Sequence, residues 1–298
     1  MALRKELSLA LLFLLVVFTG CLILFQIQKV DQPMILASYG ESSMHLQQME
    51  EGRDFFGQLE IPLYYVTGIE DRRQVTEVFL ETPEGMDAEL LGRPFFGGGN
   101  FYDEEPGMVF GRYKLVQVVV SLTFIGESPF DQAILQGAKV LLEDGQTLEG
   151  GFGSWIVEGK TYEEMPLDHW QSSGSNEGVS SLLYRVKETI VLEGIESHFQ
   201  DILEDRYEVK VNGLEMDQIQ GLTLSAGENL RIESRFLEVE EGTLDRYFLR
   251  PRLSFTDLQG KTYEMALSGM EDYDFPHRTF DPWILTKAFW ERRGGNES

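Results

Sequence analysis

No charged residue occurs between Leu7 and Gln28, and from Leu7 to Phe25 the only departures from apolar character are Ser8, Thr19 and the small Gly20. A helix rises about 1.5 Å per residue, so about 20 such residues cross a hydrocarbon layer of about 30 Å. The run predicts a transmembrane helix over 7–28, with Leu9, Leu12, Phe13, Val16, Phe18, Leu22 and Phe25 as the membrane anchor. Arg4 and Lys5 precede it and only Lys29 follows closely. The positive-inside bias then puts a short tail, 1–6, in the cytoplasm and everything after about residue 30 outside a cell membrane crossed once. Two other readings use the same residues. A cleaved signal peptide has a shorter apolar core, about 7–15 residues, ending at a small-residue site; here Leu22-Ile23-Leu24-Phe25 continue past Thr19-Gly20. Phe18-Thr19-Gly20-Cys21 is similar to a lipobox, which makes Cys21 a candidate lipidation site. Phenylalanine is unusual at its first position, and the chain stays apolar for four residues after Cys21.

After the anchor, residues 29–52 are mixed and polar and read as a stalk with room for a short helix. From Phe55 onward the apolar period changes to two. Val116, Val118, Val120, Leu122 and Phe124 form an unbroken stripe, with a turn at Gly126-Glu127-Ser128-Pro129. A short apolar run, Lys139 to Leu142, ends in the hairpin signal Glu143-Asp144-Gly145, and Trp155-Ile156-Val157 precedes a turn at Glu158-Gly159. Tyr207, Val209 and Val211 alternate with charged residues up to Asn212-Gly213, beyond which Leu214 and Met216 continue around Glu215. An Asn-Gly pair inside alternation is the strongest short hairpin signal. Leu230, Ile232 and Phe236 alternate in the same way, as do Tyr247, Leu249, Leu253 and Phe255. One-sided alternation predicts antiparallel sheets with one wet face, packed as sandwiches. The Gly/Ser-rich segment 171–181 reads as a flexible linker. It divides a β-sandwich over 53–170 from a second over 182–298, each expected to fold alone. At the end of the chain, Asp281 and Pro282 start a predicted helix over about 282–293. Trp283, Ile284, Leu285, Ala288, Phe289 and Trp290 form its apolar face, and Gly294-Gly295 suits its end.

A weak internal repeat supports the tandem arrangement. Gly159-Lys160-Thr161-Tyr162-Glu163 recurs 101 residues later as Gly260-Lys261-Thr262-Tyr263-Glu264, and Leu142 to Glu149 is similar to Phe255 to Glu264. That interval matches one immunoglobulin-like sandwich of about 100 residues. The fold class expected is mainly β: an N-terminal transmembrane helix, two tandem immunoglobulin-like antiparallel sandwiches and a short C-terminal helix.

Charge removes several classes of function. Acidic residues outnumber basic ones by 50 to 25. Setting aside the three basic residues and one acidic residue of the first thirty leaves 22 against 49, a net −27 outside the membrane. Such a field repels phosphate backbones, so no nucleic acid is expected as a partner, and charge-driven attachment to anionic lipid is disfavoured. The one cysteine, Cys21, lies in the apolar run, so the rest of the chain has neither a disulfide nor a thiol nucleophile. The absence of cysteine outside the membrane fits a bacterial surface.

Motifs that would carry chemistry are few. His45, His169, His198 and His277 stand far apart in no paired-ligand spacing, and no Gly-x-Ser-x-Gly elbow exists. Gly97-Gly98-Gly99 lacks a following Lys-Ser/Thr and runs into acidic residues, unlike a phosphate cradle. Calcium candidates are Asp103, Glu104 and Glu105, and Glu271, Asp272 and Asp274; neither cluster has an Asp-x-Asp-x-Asp-Gly pattern, and solvated charge explains both. No catalytic residue and no cofactor are assigned. Phe95, Phe96, Phe101, Tyr102, Trp155 and Trp170 are candidate ligand-binding aromatics, with covering the end of the sandwich as the competing role.

The strand Tyr113 to Ile125, its turn, and Ala138 to Thr147 together resemble immunoglobulin-like extracytoplasmic domains of Gram-positive bacterial lipoproteins and membrane-anchored surface proteins. The likeness covers about forty residues of the first half and about fifteen of the second. Gly126-Glu127 departs from the asparagine such domains tend to have after the long strand. The resemblance implies fold and location and no enzyme activity. The function expected is a non-enzymatic, membrane-anchored binding or scaffold protein of a bacterial cell envelope, with an envelope protein or a cell-wall polymer as partner. The alternatives are an anchored cell-wall or extracellular hydrolase, and an accessory subunit of a membrane secretion or sensor complex.

Overall fold

A computed structural model of the chain describes residues 2–27, 33–49, 54–92, 107–110, 112–174, 179–237, 245–267 and 270–271. The first element, α1 (Ala2–Ile27), is a helix of 26 residues that belongs to neither hydrophobic core. Its described side chains are exposed, with Phe13 at 69% and Phe18 at 63%. Leu12, Val16 and Leu22 are exposed with them, as is Cys21. Among the described residues, whose side chains in α1 run from 11 to 23, no helix is long and apolar enough to cross a membrane.

The first core is enclosed by β1 (Met34–Ile35), β2 (Ser38–Gln48), β3 (Phe55–Gly68), β4 (Val75–Glu81), β5 (Met86–Gly92), β6 (Gly107–Phe110), β7 (Tyr113–Gly126), β8 (Gln132–Leu142) and β9 (Thr147–Thr161). One layer runs β1-β3-β7-β5 and the other β4-β8-β9-β2. With β1 and β2 as a split first strand A and β6 left out, these are the orders A-B-E-D and C-F-G of a constant-type immunoglobulin sandwich. The expected stripe holds: Val116, Val118, Val120, Leu122 and Phe124 are all buried, and β7 pairs with β3 from Tyr113↔Gly68 to Gly126↔Phe55. The second half of A, β2, runs parallel to β9 from Ser38↔Gly153 to Leu46↔Thr161. Its last two residues then cross to β3 at Gln47↔Phe56 and Gln48↔Phe55, so the two layers join into one partly closed sheet.

The stalk expected over 29–52 is therefore incorrect where the chain is described. Met34, Ile35, Leu36, Met44 and Leu46 are core residues. The segment reads as polar because small side chains fill inward positions. A Cβ on Gly40 would come within 2.7 Å of the Trp155 ring, so glycine is required for that ring to lie flat on β2. The turn expected at Glu158-Gly159 is likewise strand, since β9 continues to Thr161. A Cβ on Gly159 would meet the Phe130 carbonyl oxygen at 2.1 Å, so this glycine serves close approach rather than a turn.

The second core lies between β10 (Leu167–Gly174), β11 (Val179–Val186), β16 (Asn229–Phe236), β13 (Tyr207–Val211) and β14 (Leu214–Glu215) in one layer, and β15 (Thr223–Leu224), β12 (Ile190–Glu196), β18 (Arg252–Asp257) and β19 (Thr262–Ala266) in the other. A helix, α2 (Gln200–Arg206), follows β12. With β14 and β15 left out, the strand orders again read A-B-E-D and C-F-G. Asn212 at φ 50° and Gly213 at φ 82° form the predicted hairpin between β13 and β14. The linker expected over 171–181 is a correction: Gln171 to Gly174 extend β10 and pair with Leu183 back to Ser180 of β11. An edge strand whose only buried residue is Leu167 carries no apolar stripe, so its Ser/Gly composition imitates a linker. The passage between the two cores is Tyr162 to Pro166 instead.

The repeat is real in one of its two forms. Asp144 accepts from Gln146 N at 2.9 Å beside Gly145 at φ 82°, and Asp257 accepts from Lys261 N at 2.9 Å beside Gly260 at φ 81°. Each closes the F–G hairpin of its sandwich. The identical pentapeptides are not equivalent positions, because 159–163 lies at the end of β9 and 260–264 at the start of β19.

Candidate functional site at the joint

The stretch Tyr247 to Phe255, expected as one alternating strand, is broken at Arg250-Pro251. β17 (Arg246–Leu249) leaves the second sandwich and adds to the first, parallel to β2 at Ser38↔Arg246 through Gly40↔Phe248. β20 (Met270–Glu271) pairs with its far edge. Because side chains alternate along a strand, β17 serves both cores. Phe248 joins the first, where its ring lies 5.3 Å from Trp155 and 6.2 Å from Tyr64. The Arg246 guanidinium lies over Tyr64 at 3.7 Å. Leu249 belongs to the second core and Tyr247 packs against it. Tyr247 also stacks on Tyr39 of β2 at 5.4 Å, and the Arg206 guanidinium covers its ring at 4.4 Å. Burial and the nearby Asp245 raise the Tyr39 and Tyr247 hydroxyl pKa values, and burial raises that of the Asp245 carboxyl.

Buried carboxylates fasten the two sandwiches beside this strand. Glu41 of β2, 4% exposed, accepts from Ser197 Oγ at 2.7 Å, His198 N at 2.8 Å and Arg250 N at 3.0 Å, all from the second half. Glu158 of β9 meets His198 Nε2 at 2.9 Å and Arg252 Nη1. Lys160 bridges Glu158 and Glu264 at 3.5 and 2.8 Å. Burial works against the Lys160 charge, but the Glu264 hydrogen bond and the fields of Glu158 and Glu264 hold its pKa above the ordinary lysine value. Lys160 in turn lowers the Glu264 carboxyl. The buried, multiply hydrogen-bonded carboxylates of Glu41 and Glu158 fix orientation, because breaking one contact strands the partner.

Next to the network lies a cleft of about 1060 Å³ between the sandwiches, lined from the first by Ser43, His45 and Lys160, from the second by Tyr184, Arg250 and Glu264, and from the passage between them by Glu163, among others. Its wall mixes both signs of charge with apolar surface, the composition of a recognition site for an amphipathic ligand.

The sequence-selected residues fall elsewhere. Trp155 is 2% exposed, so its assignment as a ligand-binding aromatic is incorrect: it fills the first core against Gly40, Phe152 and Phe248. Trp170 is 60% exposed on β10, with the Arg185 guanidinium 5.6 Å from its ring. Phe95, Phe96, Phe101, Tyr102, Asp103, Glu104, Glu105, Asp272, Asp274 and the helix expected over 282–293 lie outside the described residues, while Glu271 is in β20. The side chains of Leu9 and Phe25 also lie outside them. Among the described residues no group of three or more His, Cys, Asp or Glu is placed to hold a metal ion. Glu41, Glu158, His198 and Arg252 escaped sequence reasoning; the repeated Gly-Lys-Thr-Tyr-Glu was the available signal, since both copies end at this joint.

No protein-family model matches the chain, and no curated protein matches it. Among solved structures it is similar to a Parabacteroides merdae beta-glucuronidase at 9% identity and TM-score 0.20, over 80% of this chain and 25% of that one. The chain thus spans a quarter of that enzyme's length. Fibronectin(III)-like modules of Clostridium thermocellum CbhA match at 9% identity and TM-score 0.18, over 79% and 91%. The major pilin subunit BcpA of Bacillus cereus matches at 12% and 0.18, over 80% and 69%. Likenesses this weak bear on neither the reaction nor the partner.

Proposed function

We propose that the chain is a non-enzymatic binding or scaffold protein of a bacterial cell envelope, held in the membrane by α1 with its two immunoglobulin-like sandwiches outside. The observation that carries this reading is β17, which belongs to both cores and so holds the two sandwiches in one orientation around a cleft. A fixed inter-domain cleft suits recognition, because little is lost in ordering it when a ligand binds. The anchor rests on the uncharged run Leu7 to Gln28 and on a helix of 26 residues whose described side chains are exposed and belong to neither core. An envelope protein or a cell-wall polymer is the partner that such a location offers.

The test is fractionation of cells expressing the full chain. It should stay in membranes washed with high salt or carbonate, keep its first thirty residues by mass spectrometry, and lose its sandwiches to protease added outside the cell. Release by the wash, or protection of the sandwiches in intact cells, would remove this reading. A mature chain beginning at a lipidated Cys21 would replace the helix with a lipid as the anchor.

A further inference from the structure

One wall of the cleft is a sheet edge with its backbone groups turned outward. β19 has β18 on one side and, among the described residues, no strand on the other. In an antiparallel pair, residues alternate between exchanging both backbone hydrogen bonds with the neighbour and directing their N–H and C=O away from it. Leu267 N donates to Pro251 O at 2.8 Å and Asp257 N to Lys261 O at 3.0 Å. With the register Leu253↔Met265 and Phe255↔Tyr263, these bonds put 261, 263, 265 and 267 in the set facing β18. Thr262, Glu264 and Ala266 are therefore the residues that direct N–H and C=O to the open edge, and all three line the cleft.

Two further observations describe what fits there. Leu182, buried, and Tyr184, half-buried, give the cleft an apolar floor. The other lysines and arginines on its wall each have a carboxylate: Lys160 has Glu264, Lys187 has Asp168 and Arg252 has Glu158. Arg250 is exposed, and among the described residues no carboxylate pairs with its guanidinium.

We infer that the cleft takes an extended segment of a second polypeptide as an added strand on β19. Apolar side chains at alternate positions of the segment rest on Leu182 and Tyr184, and a carboxylate of the segment meets Arg250. Main-chain hydrogen bonds to three alternate residues supply affinity, and the floor and Arg250 supply selectivity. The segment is otherwise neutral or basic, because a protein of net charge −25 repels a generally acidic chain. The inference rests on the reading of the chain as a binding protein and narrows it to one occupant of one cleft.

The test reads residue-level hydrogen exchange on the full chain in detergent micelles. In the free protein the amides of Thr262, Glu264 and Ala266 exchange fast while those of Tyr263, Met265 and Leu267 are slow; equal protection of all six would show the edge already covered and overturn the inference. If that protection vanished on truncation after Glu271, the occupant would be the protein's own C-terminal segment, which equally overturns it. The probe is a phage-displayed library of peptides of about 12 residues, selected on the full chain. Selected peptides should share alternate apolar positions and an Asp or Glu, and should slow the three edge amides roughly tenfold or more. Ala266→Pro removes an N–H that β18 does not use, so it should weaken peptide binding roughly tenfold or more while Tyr263 and Met265 stay protected. Arg250→Ala should weaken the same peptides. Should Ala266→Pro disturb the fold, Thr262→Pro takes its place. No enriched peptide, peptides that protect other amides, or binding to a folded proline variant undiminished from wild type would each sink the proposal. Any of these with the chain still in washed membranes leaves the envelope reading standing, whereas loss of the chain from the membrane removes that reading without altering the amide pattern.

Discussion

Lys160 Nζ lies 2.8 Å from Glu264 Oε2, while Lys261 Nζ lies 2.6 Å from Glu163 Oε1. The two copies of Gly-Lys-Thr-Tyr-Glu thus exchange lysine and glutamate across the joint, each lysine reaching the glutamate of the other copy. These side chains are 39–52% exposed, where solvent screens most of an ion pair. Removing both charges of the pair, Lys160→Met with Glu264→Gln, should therefore cost less than the two single changes added together. The expected coupling in a urea-denaturation double-mutant cycle is about 0.5–1 kcal/mol at low salt, shrinking as salt is added. A coupling of zero at low salt would mean that the pair only decorates the joint.

Phe248 tests whether the sandwiches share a strand. It comes from the second half of the chain but packs among the first core's aromatics at 8% exposure. Phe248→Ala should cost about 3–5 kcal/mol by denaturation. Its signature should be faster amide exchange in β2 and β9, far away in sequence. Fragment 53–170, which lacks β1, β2 and β17, should show no cooperative thermal transition. A cooperative transition from that fragment would mean that β17 is dispensable.

Glu41 carries more of the joint than any exposed pair. Three donors from the second half converge on its buried carboxylate. Glu41→Ala leaves them without an acceptor and should destabilise by about 3–5 kcal/mol, whereas Glu41→Gln, which keeps an acceptor oxygen, should cost less. Equal losses in the two variants, measured by urea unfolding, would show that shape rather than hydrogen bonding matters here.

What could be read from the sequence follows from where each strand lies. The β7 stripe and the Asn212-Gly213 hairpin were legible because burial on one face and left-handed backbone at a turn leave local marks. β2 was not, since Ser38, Gly40 and Ser42 turn inward without apolar character. β17 was not, because a strand buried on both faces by two different cores reads as part of any neighbouring alternation. The candidate site was least legible of all: Glu41 and the Arg250 amide that bonds it are 209 residues apart, and only the fold brings them together.

Acid should weaken the first sandwich through Asp71. Arg73 donates to its carboxylate from Nε at 2.9 Å and Nη2 at 2.8 Å, and Thr67 adds a hydroxyl bond. The Arg73 hydrogen bond, against the opposing effect of burial, holds the Asp71 pKa well below the ordinary carboxylate value, at about 2. Arg73 also reaches Asp144 and Gln146 in the F–G turn, so the carboxylate orients a side chain that ties two loops together. A folded-state pKa below the unfolded one gives stability that is fully present above the unfolded value and is lost as pH falls through the folded one. The contribution is on the order of 2 kcal/mol at neutral pH and should disappear between about pH 4 and pH 2. Asp71→Asn should lower stability at neutral pH and flatten its decline over that interval, as measured by urea unfolding at a series of pH values. A variant whose acid limb runs parallel to the wild type would assign that decline to other carboxylates.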